Sequence, residues 1–462
     1  MLVRTVKLKR LVRRSRRLNA NSFLSAEQEL VDALAMYPEK TKRIGDVATV
    51  TKPDIFRRIY VKDPMKGLPY VSPADMDRTD YSGCRLISNS QSSRFGELRL
   101  TPGLIVITRS GMNLGWAMLI RGDQDGVIGT EDMIRVASRE SEDVGYLAAF
   151  LASAPAYHSV RQDISGGSVK HIEPHDVERL VVPWPRKDLR NRIGGVYARA
   201  AELRAESTEL INRATDFLFS SVGLTDLTEG GWFGDGRELG FSGNVGQRSL
   251  RAWNHSQKAE RIRAELQGCG SKPLGQLVKE DTLRKGPGFK RIPVNPGNGV
   301  HLIGQRQLLR FRPRPKHIAR RGIPESAFCH PGTTLIAARG TFGEAETFGR
   351  AQLVSQLTCD WLFSNDILRV VPEEAIHSGW LFAFMRSRSA FRLIRSVATG
   401  SKQQDLHPKG MAEIPVPIGG KKEISHVNDL VQKAFQLRDE AYQSESQALD
   451  RMVRVITEAS HG

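Results

Sequence analysis

One stretch of thirty-nine residues occurs twice in this chain of 462 residues. The first copy, GYLAAFLASAPAYHSVRQDISGGSVKHIEPHDVERLVVP, runs from Gly145 to Pro183, and the second, GWLFAFMRSRSAFRLIRSVATGSKQQDLHPKGMAEIPVP, runs from Gly379 to Pro417. The two align without a gap and are identical at eleven positions. Their separation of 234 residues (379 − 145) far exceeds the period of about 20–50 residues in solenoid repeats. The sequence therefore predicts two copies of a whole domain.

The segments before the two copies follow a common order of motifs. The first copy is preceded by KRIGDVATV (42–50), TPGLIVITRSGMNLG (101–115) and IGTEDMIRVA (128–137). The second copy is preceded by KPLGQLVKE (272–280), HPGTTLIAARGTFG (330–343) and LFSNDILRVV (362–371). Short apolar runs broken by Gly, Pro, Asn and Asp are typical of strands and turns. Within each copy, a helical pattern is followed by a glycine loop, a short helical turn and a final strand.

A long helical pattern follows each copy. Apolar residues keep a spacing of three to four positions from Leu189 to Leu218 and again from Ile424 to Ile456. A helix of about 33 residues would be about 50 Å long, and one apolar stripe of that length needs a partner helix. We expect six side chains to be buried between the two helices or against a bound subunit: Leu203, Leu210, Phe217, Leu430, Leu437 and Leu449.

We therefore predict an α+β fold, with two pseudo-repeated mixed α/β domains joined by two long antiparallel helices. The predicted parts are a basic N-terminal arm (1–42), a first domain (43–185), a first long helix (186–222), a connector (223–273), a second domain (274–418) and a second long helix (419–462). Residues 1–17 of the arm carry eight Lys and Arg and no acid. Such a run fits an arm on a phosphate backbone and a solvated tail about equally well, and an Arg-rich targeting peptide is a further alternative.

The charge balance indicates a polyanionic partner. The chain has 68 Lys and Arg against 51 Asp and Glu, a net charge of +17, and nucleic acid is the commonest partner of such an excess. The alternative is a basic surface that only keeps the protein soluble. We find no run of about 18 apolar residues, no secretory signal and no CxxC pair. These absences favour a reducing, cytoplasmic compartment.

The doubled order of motifs resembles the specificity (S) subunit of type I restriction–modification systems. A strand block, a Gly-[Tyr/Trp]-Leu helix, a glycine loop, a strand ending in proline and a long amphipathic helix occur twice between Lys42 and Ala459. The resemblance implies that 43–185 and 274–418 are target-recognition domains, each of which recognises one half of a split DNA sequence. It also implies that the long helices are spacers on which methyltransferase subunits dock.

The resemblance further implies what the protein binds and what it does not do. The implied partners are double-stranded DNA, two DNA methyltransferase subunits and a restriction or defence ATPase subunit, in the cytoplasm of a prokaryote and without a membrane. No cofactor and no catalysis are implied. The alternative is an adaptor of the same architecture that organises a protein complex and binds DNA weakly and unspecifically.

Catalytic motifs are absent from the sequence. A methyltransferase of the [ND]PP[YF] type would need a Pro-Pro pair, and the chain has none. Its single Gly-Lys pair, Gly420-Lys421, is not part of a P-loop. His171, Glu173 and His175 lie close together, but Pro174 interrupts any helix there and the second copy has DLHPKG instead. We therefore expect no metal site.

The candidate DNA contacts are basic and amide side chains in segments that differ between the blocks, because two half-sites usually differ. Lys and Arg supply affinity for phosphates, whereas Arg or Lys suits guanine and Asn or Gln suits adenine. The first-domain candidates are Lys52, Arg57 and Arg58 in KPDIFRR, and Arg109 and Asn113 in TRSGMNLG. The second-domain candidates are Arg284, Lys285, Lys290 and Arg291 in LRKGPGFKR, and Arg306, Arg310, Arg312, Arg314 and Lys316 in RQLLRFRPRPKHIARR. The prolines of the last segment predict an extended basic loop.

Two equivalent glycine loops complete the set of candidates. SGGSVKH (165–171) offers Ser168 and Lys170, and TGSKQQD (399–405) offers Lys402 and Gln404. Such a loop can bring backbone N–H groups against a phosphate. It can equally be a tight turn that the fold requires, and the sequence leaves both interpretations open.

Overall fold

The computed structural model of the protein describes residues 26–79, 81, 83–111, 113–162, 171–234, 251–374 and 376–459. Its helices are α1 (Ala26–Ala35), α2 (Ile44–Val47), α3 (Phe95–Leu98), α4 (Val144–Ala152), α5 (Ala154–Gln162), α6 (Pro174–Glu178), α7 (Lys187–Ser221), α8 (Glu229–Phe233), α9 (Gln257–Gly268), α10 (His377–Met385), α11 (Arg388–Ser396), α12 (Pro408–Ala412) and α13 (Lys421–Ala459). The long helices α7 and α13 have 35 and 39 residues. None of the helices in these ranges is long and apolar enough to span a bilayer.

The first domain is built on two four-stranded sheets. Its strands are β1 (Thr41–Arg43), β2 (Ala48–Thr51), β3 (Tyr60–Val61), β4 (Gly67–Val71), β5 (Leu86–Ser88), β6 (Ile105–Thr108), β7 (Ala117–Leu119), β8 (Ile128–Gly129), β9 (Met133–Ser138) and β10 (Val181–Pro183). One sheet has the antiparallel order β2-β9-β6-β7. The other has the order β3-β5-β4-β8, in which β4 and β8 are parallel. Strand β1 pairs with β10, so the end of the repeated stretch closes the domain.

The second domain repeats this plan. Its strands are β11 (Ser271–Pro273), β12 (Arg284–Lys285), β13 (Val300–Ile303), β14 (Lys316–Ile318), β15 (Thr334–Ala337), β16 (Arg339–Gly340), β17 (Ala351–Leu353), β18 (Leu362–Phe363), β19 (Ile367–Val370), β20 (Ala398–Gly400), β21 (Gln404–Leu406) and β22 (Pro415–Pro417). The order β12-β19-β15-β17 matches β2-β9-β6-β7, and β13 pairs with β18 in parallel as β4 does with β8. The closing pair β11-β22 matches β1-β10. The two domains therefore share the antiparallel sheet, the parallel strand pair and the closing strand pair, and the second domain adds a three-stranded sheet of order β16-β21-β20.

The helix pair joins the two domains in an antiparallel arrangement. Arg204 on α7 contacts Glu445 on α13, and Ser207 contacts Arg438, so the contact numbers rise on one helix as they fall on the other. Leu203 and Leu437 are buried at the centre of the pair, as predicted. The other four predicted core residues are only half-buried: Leu210, Phe217, Leu430 and Leu449. The predicted fold class, two pseudo-repeated α/β domains on two long antiparallel helices, is confirmed.

The repeated stretch fastens each domain to its long helix. A Cβ atom at Gly145 would collide with the backbone of Gly194 on α7, so only glycine permits this close crossing. Gly379 lies in the same way against Asn428 on α13. The residue after each glycine donates a hydrogen bond to the proline that ends the stretch. Tyr146 Oη donates to the carbonyl of Pro183 at 2.7 Å, and Trp380 Nε1 donates to the carbonyl of Pro417 at 2.8 Å.

The arginine shared by the two copies fixes the loop that follows the central strand. Arg395 is buried and donates to the carbonyls of Phe342, Gly343 and Phe348. Its counterpart Arg161 lies within 3.5 Å of the carbonyl of Leu114 in the matching loop. The identities within the repeat thus have a structural role, which is to hold the domain together and on its helix.

Two helices lie in segments that we assigned to the arm and the connector. Helix α1 packs against α5, and α9 packs against α11, so the two helices occupy matching places in the two units. Ser256 caps α9 by accepting a hydrogen bond from the N–H of Ala259. Each repeated unit therefore begins before the predicted domain limit, with a helix that leads into strand β1 or β11.

Candidate nucleic-acid interface

An eight-residue segment occupies the same place at the edge of the antiparallel sheet in both domains. KPDIFRRI (Lys52–Ile59) follows β2, and KGPGFKRI (Lys285–Ile292) begins in β12, the strand that matches β2. The two are identical at the lysine, the phenylalanine, the second basic residue and the isoleucine. The signal for this pair of segments is a gapless match at a distance of 233 residues (285 − 52), which lies in parts of the blocks that are otherwise different.

In the first domain, the second basic residue of this segment is held by a buried carboxylate. Arg58 Nε donates to Glu131 Oε1 at 2.7 Å, and the Tyr70 hydroxyl donates to the other carboxylate oxygen. The Glu131 side chain is 2% exposed, whereas that of Arg58 is 38% exposed. Burial alone would raise the pKa of Glu131, but the hydrogen bonds from Tyr70 and Arg58 outweigh it and lower the pKa. The guanidinium is thus fixed by a charged partner while one side faces solvent.

In the second domain, the matching arginine is held by an amide. Arg291 Nη2 donates to Asn365 Oδ1 at 3.1 Å. Asn365 has the place of Glu131, two residues after the strand that pairs in parallel with β13. The geometry of the contact is therefore shared, and its charge is not.

A second acid lies beside this contact in each domain. Arg109 is 3.3 Å from Asp132 and also contacts Glu173, and the hydroxyl of Ser110 donates to Asp132. Burial would lower the pKa of Arg109, but Glu173 and Asp132 outweigh it and raise the pKa. Lys52 lies close enough to Glu173 to lower its pKa further. Arg109 thus belongs to a network of ion pairs, and Lys52 lies nearby.

The second domain builds the equivalent network with one acid fewer. Arg339 is 2.9 Å from Asp366 and 3.5 Å from Asp405, and Lys285 also contacts Asp405. Two cations, Arg339 and Lys285, therefore share two carboxylates here, and Arg291 binds the amide of Asn365 where Arg58 binds the carboxylate of Glu131. Both networks hold their basic side chains in fixed orientations.

Several predicted residues surround these networks in exposed positions. Besides the held Arg58 and Arg291, the exposed candidates are Arg57, Arg284, Lys290, Arg306, Arg314, Lys316 and Lys402. Arg57 and Lys290 directly precede the held arginines and occupy equivalent positions. Arg306 follows Gln305, whose side-chain amide bonds both backbone groups of Arg339.

A cleft of about 400 Å³ opens beside the first-domain network. Its lining includes Arg58, Tyr60, Arg85 and Asp132, and Arg85 lies over the Tyr60 ring at 5.4 Å. Five large apolar side chains between residues 55 and 68 are exposed: Ile55, Ile59, Tyr60, Met65 and Leu68. Proteins that bend DNA often insert apolar side chains between base steps. The sequence signal for this surface is a group of apolar residues beside Arg57 and Arg58, whereas the predicted DNA contacts include only the basic residues.

The central part of the predicted basic loop lies between the domains, where Arg312 and Arg314 have protein partners. Arg312 Nε is 3.4 Å from Glu445 on α13, and its Nη1 is 3.4 Å from the carbonyl of Ala117. Arg314 Nη1 donates to Asn113 Oδ1 at 3.0 Å, so the side-chain oxygen of Asn113, a predicted DNA contact of the first domain, already accepts a hydrogen bond. The sequence could not reveal this because the acids that neutralise the loop lie far away along the chain.

The second glycine loop is a hairpin between β20 and β21. Gly400 has φ 103°, a conformation that favours glycine, so a tight turn explains this residue. Gln404 is buried, accepts from Arg251 and donates to the carbonyl of Ser401, whereas Lys402 is exposed at the turn. Ser168 and Lys170 lie outside the described residues.

The side chains that suggested a metal have protein partners. Glu173 contacts Arg109, which also approaches His171 Nδ1 at 3.3 Å, and His175 lies 3.1 Å from Asp176. Among the residues that the structure describes, no group of three or more His, Cys, Asp and Glu side chains is placed to hold a metal ion. The site as described consists of arginines, lysines, amides and carboxylates.

Comparison with known proteins gave only distant structural similarity. No protein-family model and no curated protein matches the chain. The S subunit of a type I restriction–modification system from M. genitalium has a TM-score of 0.38 at 12% identity, with 91% of this chain and 95% of that chain covered. A chain from a structure of type I system assembly has a TM-score of 0.26 at 13% identity, with 91% and 97% covered. The HsdS subunit from Thermoanaerobacter tengcongensis has a TM-score of 0.25 at 13% identity, with 90% and 96% covered.

Proposed function

We propose that the protein is a non-catalytic DNA-recognition subunit that binds a split target, with one half of the target on each domain. The observation that carries this proposal is the duplicated site. The same segment, Lys52–Ile59 or Lys285–Ile292, lies at the same sheet edge in both domains. Both domains are fixed to one antiparallel helix pair in a chain of net charge +17. Two equivalent sites at a fixed separation suit a ligand that extends past both, as duplex DNA does.

The chemistry of the site suits a division of labour between phosphates and bases. The exposed Arg57 and Lys290 would neutralise phosphates, which supplies affinity without sequence information. Arg58 and Arg291 are fixed by their partners and would donate to guanine edges, since a guanidinium matches the two acceptors of that base. A guanidinium held in place loses less side-chain entropy on binding than a mobile one.

The difference between Glu131 and Asn365 would make the two half-sites unlike. The exposed amide of Asn365 both donates and accepts and suits adenine, whereas Glu131 is buried and only orients Arg58. We expect two short elements of different sequence on either side of unspecified base pairs.

The same proposal includes the partners that the resemblance to specificity subunits implies. Methyltransferase subunits, two in number, would dock on the helix pair, and a restriction or defence ATPase would join them in a prokaryotic cytoplasm. The outer faces of α7 and α13 carry exposed polar side chains that are available for such contacts, for example Arg199, Glu202, Gln432, Gln436 and Glu440. The chain itself would supply recognition and no catalysis.

Enrichment of binding sites from random duplexes tests the proposal. The purified chain, alone and with its methyltransferase, should select two specific elements at one fixed separation. Binding should weaken steeply with salt because counterions are released. Binding without any enriched sequence would favour the adaptor alternative, and absence of binding with and without the partner would refute DNA recognition altogether.

A further inference from the structure

A contact between the two domains lies on the internal two-fold axis of the repeat. The match of YVSPADM (70–76) with LIGQRQL (302–308) gives an offset of 232 (302 − 70), which makes Arg78 the counterpart of Arg310. These two residues pair with each other in an antiparallel bridge. The N–H of Thr79 donates to the carbonyl of Leu309 (3.1 Å), and the N–H of Phe311 donates to the carbonyl of Asp77 (2.9 Å). Under the offset the second bond is the copy of the first, so the same segment of each domain binds its own counterpart, as in a symmetric dimer.

Side chains strengthen this contact, which we name the clasp and define as residues 77–79 and 309–312. Asp77 is 1% exposed and accepts hydrogen bonds from the N–H of Arg312 at 3.1 and 3.2 Å. The ring of Phe311 is buried beneath three guanidinium groups, those of Arg121 (4.5 Å), Arg438 (5.1 Å) and Arg204 (5.8 Å). Cation–π contacts strengthen when they are removed from water. The clasp is therefore a packed junction and more than a passing backbone contact.

The clasp is also tied to the centre of the helix pair. Glu445 on α13 lies 2.5 Å from Arg204 on α7 and 3.4 Å from Arg312 in the clasp. The Glu445 side chain is 6% exposed, that of Arg204 5% and that of Arg312 16%. A buried carboxylate between two guanidiniums tolerates little displacement, because any separation leaves a charge without its partner. Both domains are thus fixed to the same point of the helix pair.

Further contacts extend the junction on both sides. Arg78 Nη1 donates to the carbonyl of Ala345 at 3.2 Å. Arg314 donates to Asn113 and lies 5.1 Å from the Trp116 ring, while Arg312 lies 5.4 Å from the same ring. The two domains therefore have limited freedom to turn about the helices. Helix length alone would fix the distance along the axis and leave this rotation open.

We propose that the clasp fixes the separation and angle of the two recognition surfaces, and thereby the number of unspecified base pairs in the target. This inference rests on the proposed function. Successive base pairs are related by a rotation as well as a rise, so two half-sites with one base pair added between them differ in direction as well as in distance. With a rigid junction, DNA with one particular number of base pairs between the half-sites (the gap) binds without distortion. DNA with any other gap must be deformed to reach both domains, which costs energy. A loosened junction would accept neighbouring gaps.

Two variants open the clasp from different sides. Phe311→Ala removes the ring beneath the three guanidiniums, and Arg312→Gln removes the link to Glu445. A matched control is Arg190→Gln, which breaks a similarly buried ion pair with Asp143 (3.0 Å) inside the first unit. Hydrogen exchange reports on the junction directly, because the amides of Thr79 and Phe311 donate across it. Retained protection of the core of α7 and α13 shows that a variant is folded.

Binding-site enrichment then measures the gap. In the wild type and in Arg190→Gln, we expect the best gap to be preferred over gaps one base pair longer or shorter by about tenfold or more. In Phe311→Ala and Arg312→Gln, we expect loss of protection at residues 77–79 and 309–312, the same two sequence elements, and a preference of about threefold or less.

Three results would overturn the inference. Protection lost at the clasp with an unchanged single gap would assign the gap to the helices alone. If the variants bind DNA more tightly with an unchanged gap, the clasp lowers the affinity for DNA and does not set the gap. If residues 77–79 and 309–312 keep their hydrogen-exchange protection in both variants, the side chains of Phe311 and Arg312 do not stabilise the junction. A wild type that selects no split target refutes the proposed function itself, and that result is seen before any variant is compared.

Discussion

The two domains of this protein share a frame and differ in the charges that it holds. Each domain carries an arginine at the end of the same segment, and each arginine meets a side chain from the loop after the parallel strand pair. In the first domain that side chain is the buried carboxylate of Glu131, and in the second it is the amide of Asn365, which is exposed. Duplication thus preserved the positions while the chemistry diverged, as expected if each copy recognises a different half of one ligand.

A second asymmetry lies at the centre of the helix pair. Under the offset of 234, Glu445 on α13 corresponds to Ile211 on α7. Glu445 binds two arginines, whereas Ile211 belongs to the apolar core that the second domain makes with the helices. One half of the pseudo-symmetric centre is therefore polar and the other apolar.

The largest effect should come from breaking this central asymmetry. Glu445→Ala leaves Arg204 and Arg312 buried without their carboxylate, and we expect a loss of about 3–5 kcal/mol in the free energy of unfolding. The matched change in the apolar half, Ile211→Val, should cost about 0.5–1.5 kcal/mol. Urea unfolding of both variants provides the comparison. Equal and small losses would show that the buried ion pairs do not hold the centre.

A smaller difference should separate the two held arginines. Arg58→Ala leaves the buried Glu131 with the Tyr70 hydroxyl as a remaining donor, and we expect a loss of about 1–3 kcal/mol in the free energy of unfolding. Arg291→Ala frees an exposed amide that water can solvate, so its loss should stay below about 0.5 kcal/mol. In the double variant Arg58→Ala with Glu131→Gln, much of the loss should be recovered. Identical stabilities for the two single variants would contradict the assigned roles of the partners.

The exposed neighbours of these arginines should behave alike in the two domains. Arg57→Ala and Lys290→Ala each remove one proposed phosphate contact, so each should lower the salt slope of DNA binding by about one unit. Neither variant should change the selected sequence, because phosphates carry no direct sequence information. Titrations against a selected duplex over a salt series measure the slope. A changed sequence preference would instead place the side chain at a base edge.

The smallest effect concerns pH, and it should appear in the first domain alone. Since Tyr70 and Arg58 lower the pKa of Glu131 in the folded state, this carboxylate stabilises the fold above its ordinary value of 4.5. That contribution is lost as the pH falls through the lower, folded-state pKa. The stability difference between the wild type and Glu131→Gln should therefore shrink below a pH of about 4. A difference that stays constant down to acid unfolding would contradict the lowered pKa.

The architecture could be predicted because it depends on patterns repeated along the chain. The gapless match from Gly145 to Pro183, followed by an apolar stripe at helical spacing, was enough to predict the domains and the antiparallel helices. The start of each unit was set too late, because α1 and α9 are short helices beside segments dominated by charge.

The site was predicted less well, since charge in a sequence does not reveal its partners. Arg312 and Arg314 belong to the most basic run of the second block, yet distant residues occupy them: Glu445 from the last helix, and Asn113 from the other domain. The Lys52–Ile59 segment has five polar or aromatic side chains that are exposed or partly exposed. Its match with Lys285–Ile292 is short, and the structure identifies the two as equivalent because both lie at the same sheet edge.

The most direct test of the account is binding-site enrichment with the reciprocal variants Arg58→Ala and Arg291→Ala beside the wild type. The account predicts two sequence elements at a fixed gap for the wild type. Arg58→Ala should relax specificity in one element by about 1–3 kcal/mol per affected base pair, and Arg291→Ala should relax it in the other, with the gap unchanged. A single continuous element, or the loss of the same element in both variants, would contradict recognition of separate half-sites by the two domains.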